Sequence, residues 1–442
     1  MKITGRGNYP VIDSELVNFK TTGQLQQHLT SSTELIPRGL GRSYGDSSLN
    51  RSRIVSTLDF NKILAFNPQT GLITCEAGVT LEDILRIFVP RGWFVPVTPG
   101  TQFVTVGGMV ASDVHGKNHH IDGSFSSCVE TITLMTADGE ITECGGEKNR
   151  ELFDATLGGM GLTGIIIHVS FYLKPIQTSY IREEVIKAKN LESIMALFEQ
   201  SKSWTYSVAW IDCLAKGSAL GRSILMLGEH ANITELPEKI ASEPLKIPAG
   251  KNLSVPFNFP NLALNSLSVK AFNFLYFHKE IQARKSVLTT YDQFFYPLDS
   301  ILNWNRIYGR RGFTQYQFVI PKRNSEKGMR KILEVIAASG QASFLAVLKL
   351  FGKQEGLLSF PEEGYTLALD FPVTKQLFPL LNRLDDIVGE AEGRLYLTKD
   401  VRMDRAFFEK SYGSKVETFK KIKNSIDPNH KFQSEQSKRI GL

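Results

Sequence analysis

Two glycine-rich stretches constrain this chain more than any other feature. They are Arg38-Gly39-Leu40-Gly41-Arg42-Ser43-Tyr44-Gly45-Asp46 and Pro99-Gly100-Thr101-Gln102-Phe103-Val104-Thr105-Val106-Gly107-Gly108. Each sets glycines among small and hydroxyl residues where a strand-like run ends, and such a loop lets backbone N–H groups come close to a pyrophosphate. Neither follows the nicotinamide-type fingerprint, because no G-x-G-x-x-G opens a helix with an acidic residue about 20 positions further on. The chain is therefore expected to hold a dinucleotide, and a flavin in preference to a nicotinamide.

Composition narrows the setting. At 442 residues, with 42% hydrophobic and 22% charged side chains, the chain reads as a folded protein of two large domains. Cys75, Cys128, Cys144 and Cys213 show no C-x-x-C spacing, so they are expected to be reduced core thiols and not a zinc or dithiol site. The first residues lack an apolar signal region and no run of 18 or more apolar residues follows, which predicts a cytoplasmic or membrane-peripheral protein. A net charge of +6 without a basic block interleaved with aromatics argues against a nucleic-acid partner. Between Lys246 and Lys285, six cations (Lys246, Lys251, Lys270, Lys279, Arg284, Lys285) stand with the single acid Glu280 among Val255, Phe257, Phe259, Leu262, Leu264, Phe272, Phe274, Leu275, Tyr276 and Phe277. That mixture suits a membrane surface or a lipid phosphate; the alternative is a long loop folded over the core.

From Leu35 to Pro175, short β-branched runs alternate with glycine punctuation and helix-like segments such as Thr80–Phe88, with Thr80 as its cap. The class is α+β. Lys174-Pro175 closes an apolar run over Ile165–Leu173 and marks a boundary. Further strands are expected over Trp204–Ile211, Tyr316–Pro321, Phe344–Phe351 and Gly393–Asp400, then a polar helical tail from Arg405 to Ser425.

The block His115-Gly116-Lys117-Asn118-His119-His120 packs three imidazoles and an ammonium together. It lacks the Glu of H-E-x-x-H, so no metal site is expected, and His115 reads as a neutral base or hydrogen-bonding group beside a redox ring. Lys349 shares a strand face with Val347 and Phe351 and needs a partner there: a substrate phosphate or hydroxyl, or a carboxylate such as Asp370. Gln315 and Gln317 share a face on which amides could hold sugar hydroxyls. Lys399 could oppose the anionic end of a reduced flavin, or form a surface ion pair.

Several long stretches taken in order resemble the flavin oxidases of the vanillyl-alcohol-oxidase fold, and within it the bacterial decaprenylphosphoryl-β-D-ribose 2′-oxidases. They are Arg38–Asp46, Val114–His120, Gly161-Leu162-Thr163-Gly164-Ile165-Ile166, Tyr316–Pro321 and Leu395-Tyr396-Leu397-Thr398-Lys399-Asp400. The resemblance implies an FAD-binding domain over 1–176, a substrate domain built on an antiparallel sheet over 177–393, and a segment 394–442 that returns to the FAD domain. It implies FAD contacts from Pro37, Arg38, Gly39, Leu40, Gly41, Arg42, Ser43, Tyr44, Gly45 and Asp46, and from Gly100, Thr101, Thr105, Val106, Gly107, Gly108, Ser112, Asp113, Val114, His115 and Gly116. Ile166, Tyr396 and Lys399 complete that set.

The same resemblance puts Tyr44, Lys117, Gln315, Gln317, Lys349 and Thr366 around the sugar, with Trp210, Val347 and Phe351 lining the pocket and Lys399 and His115 as catalytic candidates. Arg42 stands where many relatives of the wider fold carry a flavin-linking histidine, so FAD is expected to be noncovalent. Ala368 stands where the family carries a pocket cysteine. The implied activity is FAD-dependent oxidation at C2 of a polyprenyl-phosphoryl ribofuranose, followed by an NAD(P)H-dependent short-chain reductase as a separate partner. The alternatives are oxidation of a free polyol or aldonolactone, and a non-catalytic lipid-phosphate-binding protein.

Overall fold

The computed structural model describes residues 1–247, 253–260, 264–341, 343 and 345–442; Lys251, Leu262 and Phe344 lie outside them. Strand β1 (Glu15–Asn18), β2 (Ile36–Arg38) and β3 (Arg53–Ser56) form a small parallel sheet in the order β1-β3-β2. Beside it, β4 (Ile63–Phe66), β5 (Leu72–Glu76), β6 (Val129–Met135), β7 (Ile141–Gly145) and β8 (Ile165–Tyr172) make an antiparallel sheet ordered β7-β6-β8-β5-β4. The central strand β8 reads Ile-Ile-Ile-His-Val-Ser-Phe-Tyr; its Ile166, Val169 and Phe171 share a core with Leu81, Ile84, Leu85 and Phe88 of helix α1 (Leu81–Phe88) and Val106, Met109 and Val110 of α2 (Val106–Ala111), while Ile165 and Ile167 join a second one with Phe19, Leu25 and Leu29. Thr80 caps α1, as expected, by accepting from the Asp83 N–H.

The larger sheet has eight antiparallel strands. They are β9 (Tyr180–Ala188), β10 (Tyr206–Ile211), β11 (Ser223–His230), β12 (Arg284–Thr290), β13 (Phe313–Pro321), β14 (Ala346–Phe351), β15 (Gly364–Pro372) and β16 (Arg394–Leu395), ordered β12-β9-β11-β10-β14-β15-β13-β16. Helix α3 (Ser266–His278) lies before β12, while α4 (Lys322–Ser339) and α5 (Leu377–Glu390) cover one sheet face. There Tyr316, Phe318, Ile320, Leu348, Leu350, Leu367 and Leu369 meet Ile332, Leu333 and Ile336 of α4 and Leu380, Leu381 and Leu384 of α5. Because side chains alternate across a strand, the residues in between point the other way, toward the smaller sheets.

Three expectations are corrected. The 246–285 stretch is not a plain loop, since α3 takes up thirteen of its residues. Gly393–Asp400 is not one strand: β16 is two residues long, and Tyr396–Lys399 close a turn in which the Lys399 N–H donates to the Tyr396 carbonyl at 2.9 Å. The polar tail expected over Arg405–Ser425 is two helices, α6 (Arg405–Tyr412) and α7 (Lys415–Ile426), and a third, α8 (Glu435–Ile440), follows it. The chain's end returns to the first strands, where the Leu35 N–H donates to the Lys431 carbonyl at 2.8 Å and the Gln433 N–H to the Leu35 carbonyl at 3.0 Å.

Candidate active site

A cavity of about 610 Å³ separates the two glycine loops from the uncovered face of the large sheet. The loops touch each other: a Cβ on Gly39 would stand 2.1 Å from Thr105 Oγ1, and Gly41 adopts φ +63°, both of which favour glycine. Among the described residues the backbone N–H groups of Gly39 to Ser43 donate to no protein acceptor, and the wall adds two buried atoms without a partner, Arg42 Nε and Ser47 Oγ. Successive free N–H groups beside a guanidinium fit the diphosphate of a dinucleotide. Arg38 is turned away from that role, donating to the Thr4 carbonyl at 2.6 Å and to Ser48 Oγ at 3.3 Å.

The far wall is written by strand register. Gln317 on β13 stands opposite Ala368 on β15, Ala368 opposite Val347 on β14, Val347 opposite Trp210 on β10, and Trp210 opposite Ile224 on β11. Two positions along, on the same face, Lys349 stands opposite Thr366. Among the predicted residues, the cavity gathers Tyr44, Lys117, Trp210, Gln315, Gln317, Val347, Lys349, Thr366 and Lys399 with the loop residues and His115.

At its centre the Gln317 side-chain amide meets His115 Nε2 at 3.0 Å and donates to Thr366 Oγ1 at 3.3 Å. Burial, aided by Lys349, His119 and Lys399, holds the imidazole of His115 well below its ordinary range, so it is neutral at physiological pH. Lys399 Nζ lies 4.0 Å from the centre of the Tyr44 ring. Burial lowers this ammonium to about 7 against the opposing pull of Asp370, with Lys349 and Arg6 adding to the fall. Burial lowers Lys117 to about 7 and Lys349 to about 8.

Other expectations move. Asp370 is not the partner of Lys349: it accepts from Gln315 Nε2 at 2.6 Å and from the Tyr308 hydroxyl at 3.3 Å. Phe351 is not on the cavity wall but buried behind it, its ring 4.8 Å from that of His115. Gly45, Asp46, Val106, Asp113 and Gly116 are likewise behind the wall. Asp46 pairs with Arg439 at 2.7 Å, Asp113 accepts from Ser124 Oγ at 2.7 Å, and a Cβ on Gly45 would meet the Asp400 carbonyl at 1.7 Å. The three imidazoles diverge, for His119 Nδ1 accepts from the Gly352 N–H and His120 Nε2 reaches the Trp204 carbonyl; among the described residues no group of three or more His, Cys, Asp or Glu could hold a metal ion.

Sequence reasoning missed Arg6 and Asp299, both on the wall. Asp299 accepts from Thr101 Oγ1 at 2.8 Å and from the Gln102 N–H at 2.8 Å, and so fixes the second glycine loop from nearly 200 positions away. No local pattern signals such a contact.

Comparison with known proteins agrees with this geometry. The FAD binding domain family matches residues 18–145. The chain is 38% identical over 415 residues, 92% of its length and 89% of the relative's, to the decaprenylphosphoryl-beta-D-ribose oxidase of Mycolicibacterium smegmatis. It is 33% identical over 373 residues to an uncharacterized protein in the mprA 5′ region of Streptomyces coelicolor, covering 82% of this chain and all of that one. To the L-gulonolactone oxidase of Scyliorhinus torazame it is 30% identical over 139 residues, 31% of either chain.

Proposed function

Because the chain belongs to the decaprenylphosphoryl-β-D-ribose oxidase family, we propose that it is an FAD-dependent oxidoreductase that converts the C2 hydroxyl of a polyprenyl-phosphoryl-β-D-ribofuranose to the 2-keto sugar. The observation that carries this reading is the sheet face opposite the glycine loops, where Gln317, Thr366 and Lys349 give way to Val347, Trp210 and Ile224. A polar end beside an apolar run fits a sugar joined to a lipid. The rival reading, a free lactone or polyol, is weaker because likeness to the lactone oxidase spans only 31% of the chain.

FAD would be held by the N–H groups of Gly39 to Ser43, by Arg42 and by Ser47, and when bound it supplies the acceptor for the C2 hydrogen with its electron pair. No covalent link forms, because Arg42 offers a guanidinium and lies with Cζ 5.4 Å from the centre of the Phe103 ring. Lys399 takes the hydroxyl proton at Nζ: lowered to about 7, it is partly unprotonated at neutral pH. The resulting ammonium is stabilised by the Tyr44 ring beneath it. His115 does not compete for this proton, since burial keeps it far below its ordinary range and Gln317 occupies Nε2; its part is to hold Gln317 in register with Thr366. Released product is a ketone, which a separate NAD(P)H-dependent short-chain reductase would reduce to the arabinose form.

Two features of organisation complete the proposal. The chain divides into an FAD unit, 1–176 with 394–442, and an inserted substrate unit, 177–393. Its support is that the three-stranded and five-stranded sheets use only residues before 176, whereas the eight-stranded sheet runs from Tyr180 to Pro372 and takes only its edge strand, Arg394–Leu395, from the returning segment. The protein also contacts membrane peripherally through α3, whose Leu267, Phe274 and Leu275 are 78%, 53% and 67% exposed beside Lys270 and Lys279. Among the described residues no helix is long and apolar enough to cross a membrane.

The test is anaerobic mixing of the yellow holoenzyme with a polyprenyl-phosphoryl ribose, an aldonolactone and a polyol. Bleaching of the flavin band by the lipid sugar alone is the expected result. Bleaching by the soluble sugar alone would overturn the substrate assignment, and purification without flavin would overturn the enzyme assignment.

A further inference from the structure

The cavity wall carries two half-buried lysines that the proton transfer at Lys399 does not use. Lys117 enters from the His115–His120 block and Lys349 from the middle of β14, and both line the same cavity. Lys117 donates to the Phe294 carbonyl and lies 4.2 Å from the centre of the Phe294 ring. It has no carboxylate in ion-pair contact among the described residues, although Glu183 acts on it from a distance. Burial lowers Lys349, and among the described residues no carboxylate lies in ion-pair contact with it. The two face the same cavity, and the charge of Lys349 bears on Lys117. Two cations drawn out of bulk water on one wall without a carboxylate in contact favour an anionic ligand between them.

What lies on either side identifies the anion. Toward β13 the wall is polar, with Thr366 directly opposite Lys349, then Gln317 and His115. Toward β12 an apolar run follows, with Val208 opposite Met226, Met226 opposite Val185 and Val185 opposite Lys285, and its far end is charged, since Glu183, Lys279, Glu280 and Lys285 all line the wall there. Strands are about 4.8 Å apart, so the run from β14 through β10, β11 and β9 to β12 spans roughly 19 Å. Tyr276 of α3 roofs it, its ring 4.7 Å from that of Trp210. The order across the sheet is thus hydroxyl-binding groups, cations, and an apolar trough.

We propose that Lys117 and Lys349 together seat the phosphodiester of the lipid-linked sugar, with the ribose toward Gln317 and Lys399 and the first prenyl units laid along Val208, Met226 and Val185. This rests on the oxidase reading for the identity of the sugar, and extends it by assigning the group that fixes the sugar's position. The seat also acts on chemistry indirectly: an anion there offsets the charge of Lys349, which otherwise bears on Lys399 and His115.

The test is titration calorimetry of the flavin-loaded enzyme at pH 8, in two buffers of different ionisation enthalpy, with farnesyl phosphate, farnesol and inorganic phosphate. The charged and titratable groups bearing on the two ammoniums are Glu183, His115, His119 and Lys399. Farnesyl phosphate is expected to bind at least tenfold more tightly than either other probe and to take up about one proton, because an anion restores both lysines toward their ordinary range. Lys349→Met and Lys117→Met should each weaken it tenfold or more, with Lys349→Arg recovering most of the loss and the visible flavin spectrum confirming that each variant is folded. Equal binding of farnesol, or binding of farnesyl phosphate undiminished by both Lys349→Met and Lys117→Met, overturns the anion seat. Equal binding of inorganic phosphate overturns the lipid source. Failure of the oxidase reading is separate: it would appear as absent flavin bleaching by the lipid sugar while farnesyl phosphate still binds.

Discussion

The ammonium of Lys399 rests 4.0 Å from the centre of the Tyr44 ring, which joins the end of the chain to the first glycine loop at the point where a proton must be accepted. The Tyr44 N–H donates to the Thr398 carbonyl at 3.0 Å, so ring and ammonium are held by one backbone contact. With Lys399 lowered to about 7, chiefly by burial, a base role requires the rate of flavin reduction to rise with pH through about 7 and then level. Lys399→Met should cut that rate by about 10²–10⁴. Tyr44→Phe keeps the ring and should leave the midpoint in place, whereas Tyr44→Leu removes a desolvated cation–π contact of about 1–2 kcal/mol and should move it down by about one pH unit. Stopped-flow traces across pH 5.5–9 decide it, and a rate that falls with rising pH would exclude Lys399 as the base.

Arg439 of α8 is the joint between the two halves of that contact. It reaches Asp46 at 2.7 Å and Asp400 at 3.0 Å, and Gln436 from the same helix donates to the Leu397 carbonyl at 2.7 Å. Burial already pushes Asp46 up to about 6 in spite of the guanidinium. Arg439→Met removes the counter-ion of two buried carboxylates, of which Asp400 still accepts from the Arg402 and Met403 N–H groups at 3.0 and 2.8 Å, and should lower stability by about 2–4 kcal/mol and raise flavin dissociation. Asp46→Asn combined with Arg439→Met should be less damaged than the two single losses added, since neutralising one carboxylate removes part of the penalty. Urea unfolding followed by flavin fluorescence measures both; strict additivity would show that the pair is not coupled.

Much of this site is visible in the sequence because its parts are local. The two loops, the His115 block and the strand residues Gln315, Gln317, Val347 and Lys349 each carry their signal within a few positions, and the register brings them together. What escapes is set by contacts between distant residues. Asp46 and Arg439 are 393 positions apart, and Phe351 alternates correctly with Lys349 yet falls behind His115 where the cavity ends. The 266–278 helix hides because its apolar residues lie all round it: Val269 is buried while Leu267, Phe274 and Leu275 are exposed, which leaves no helical stripe to detect. The Tyr396–Lys399 turn imitates a strand in composition, and only its hydrogen bond back on itself separates the two.

His230 gives the protein an acid limit. Its ring packs 4.9 Å from Phe94 and 5.7 Å from Tyr206, both ring nitrogens are buried without a partner, and burial with the nearby Lys174 pushes it down to about 3. A histidine with a lowered native value stabilises the fold fully above its unfolded value of 6.5, and that stability drains away as pH falls below it. Between pH 8 and pH 5 the loss from this one ring is about 2 kcal/mol. His230→Phe should shrink the stability gap between those two pH values by about that amount, read from urea midpoints; an unchanged gap would place the acid sensitivity elsewhere.

Ala368 leaves the cavity without a thiol. It stands opposite Gln317 on one side and Val347 on the other and lines the wall, whereas Cys75, Cys128, Cys144 and Cys213 are all buried. Burial pushes Cys75, Cys144 and Cys213 up to about 12 and Cys128 upward as well, so none presents a thiolate at pH 8. The folded holoenzyme should therefore resist iodoacetamide and electrophiles designed to bond a pocket cysteine. Ala368→Cys should take up one label per chain, faster than a free thiol does, because Lys349 and Lys399 face the same space and favour the thiolate. Intact-mass measurement with and without a bound lipid sugar reads the result. An Ala368→Cys thiol that neither reacts nor is shielded by ligand would mean that position 368 does not face the substrate, and labelling of the wild-type enzyme would mean that one of the four buried thiols is reached.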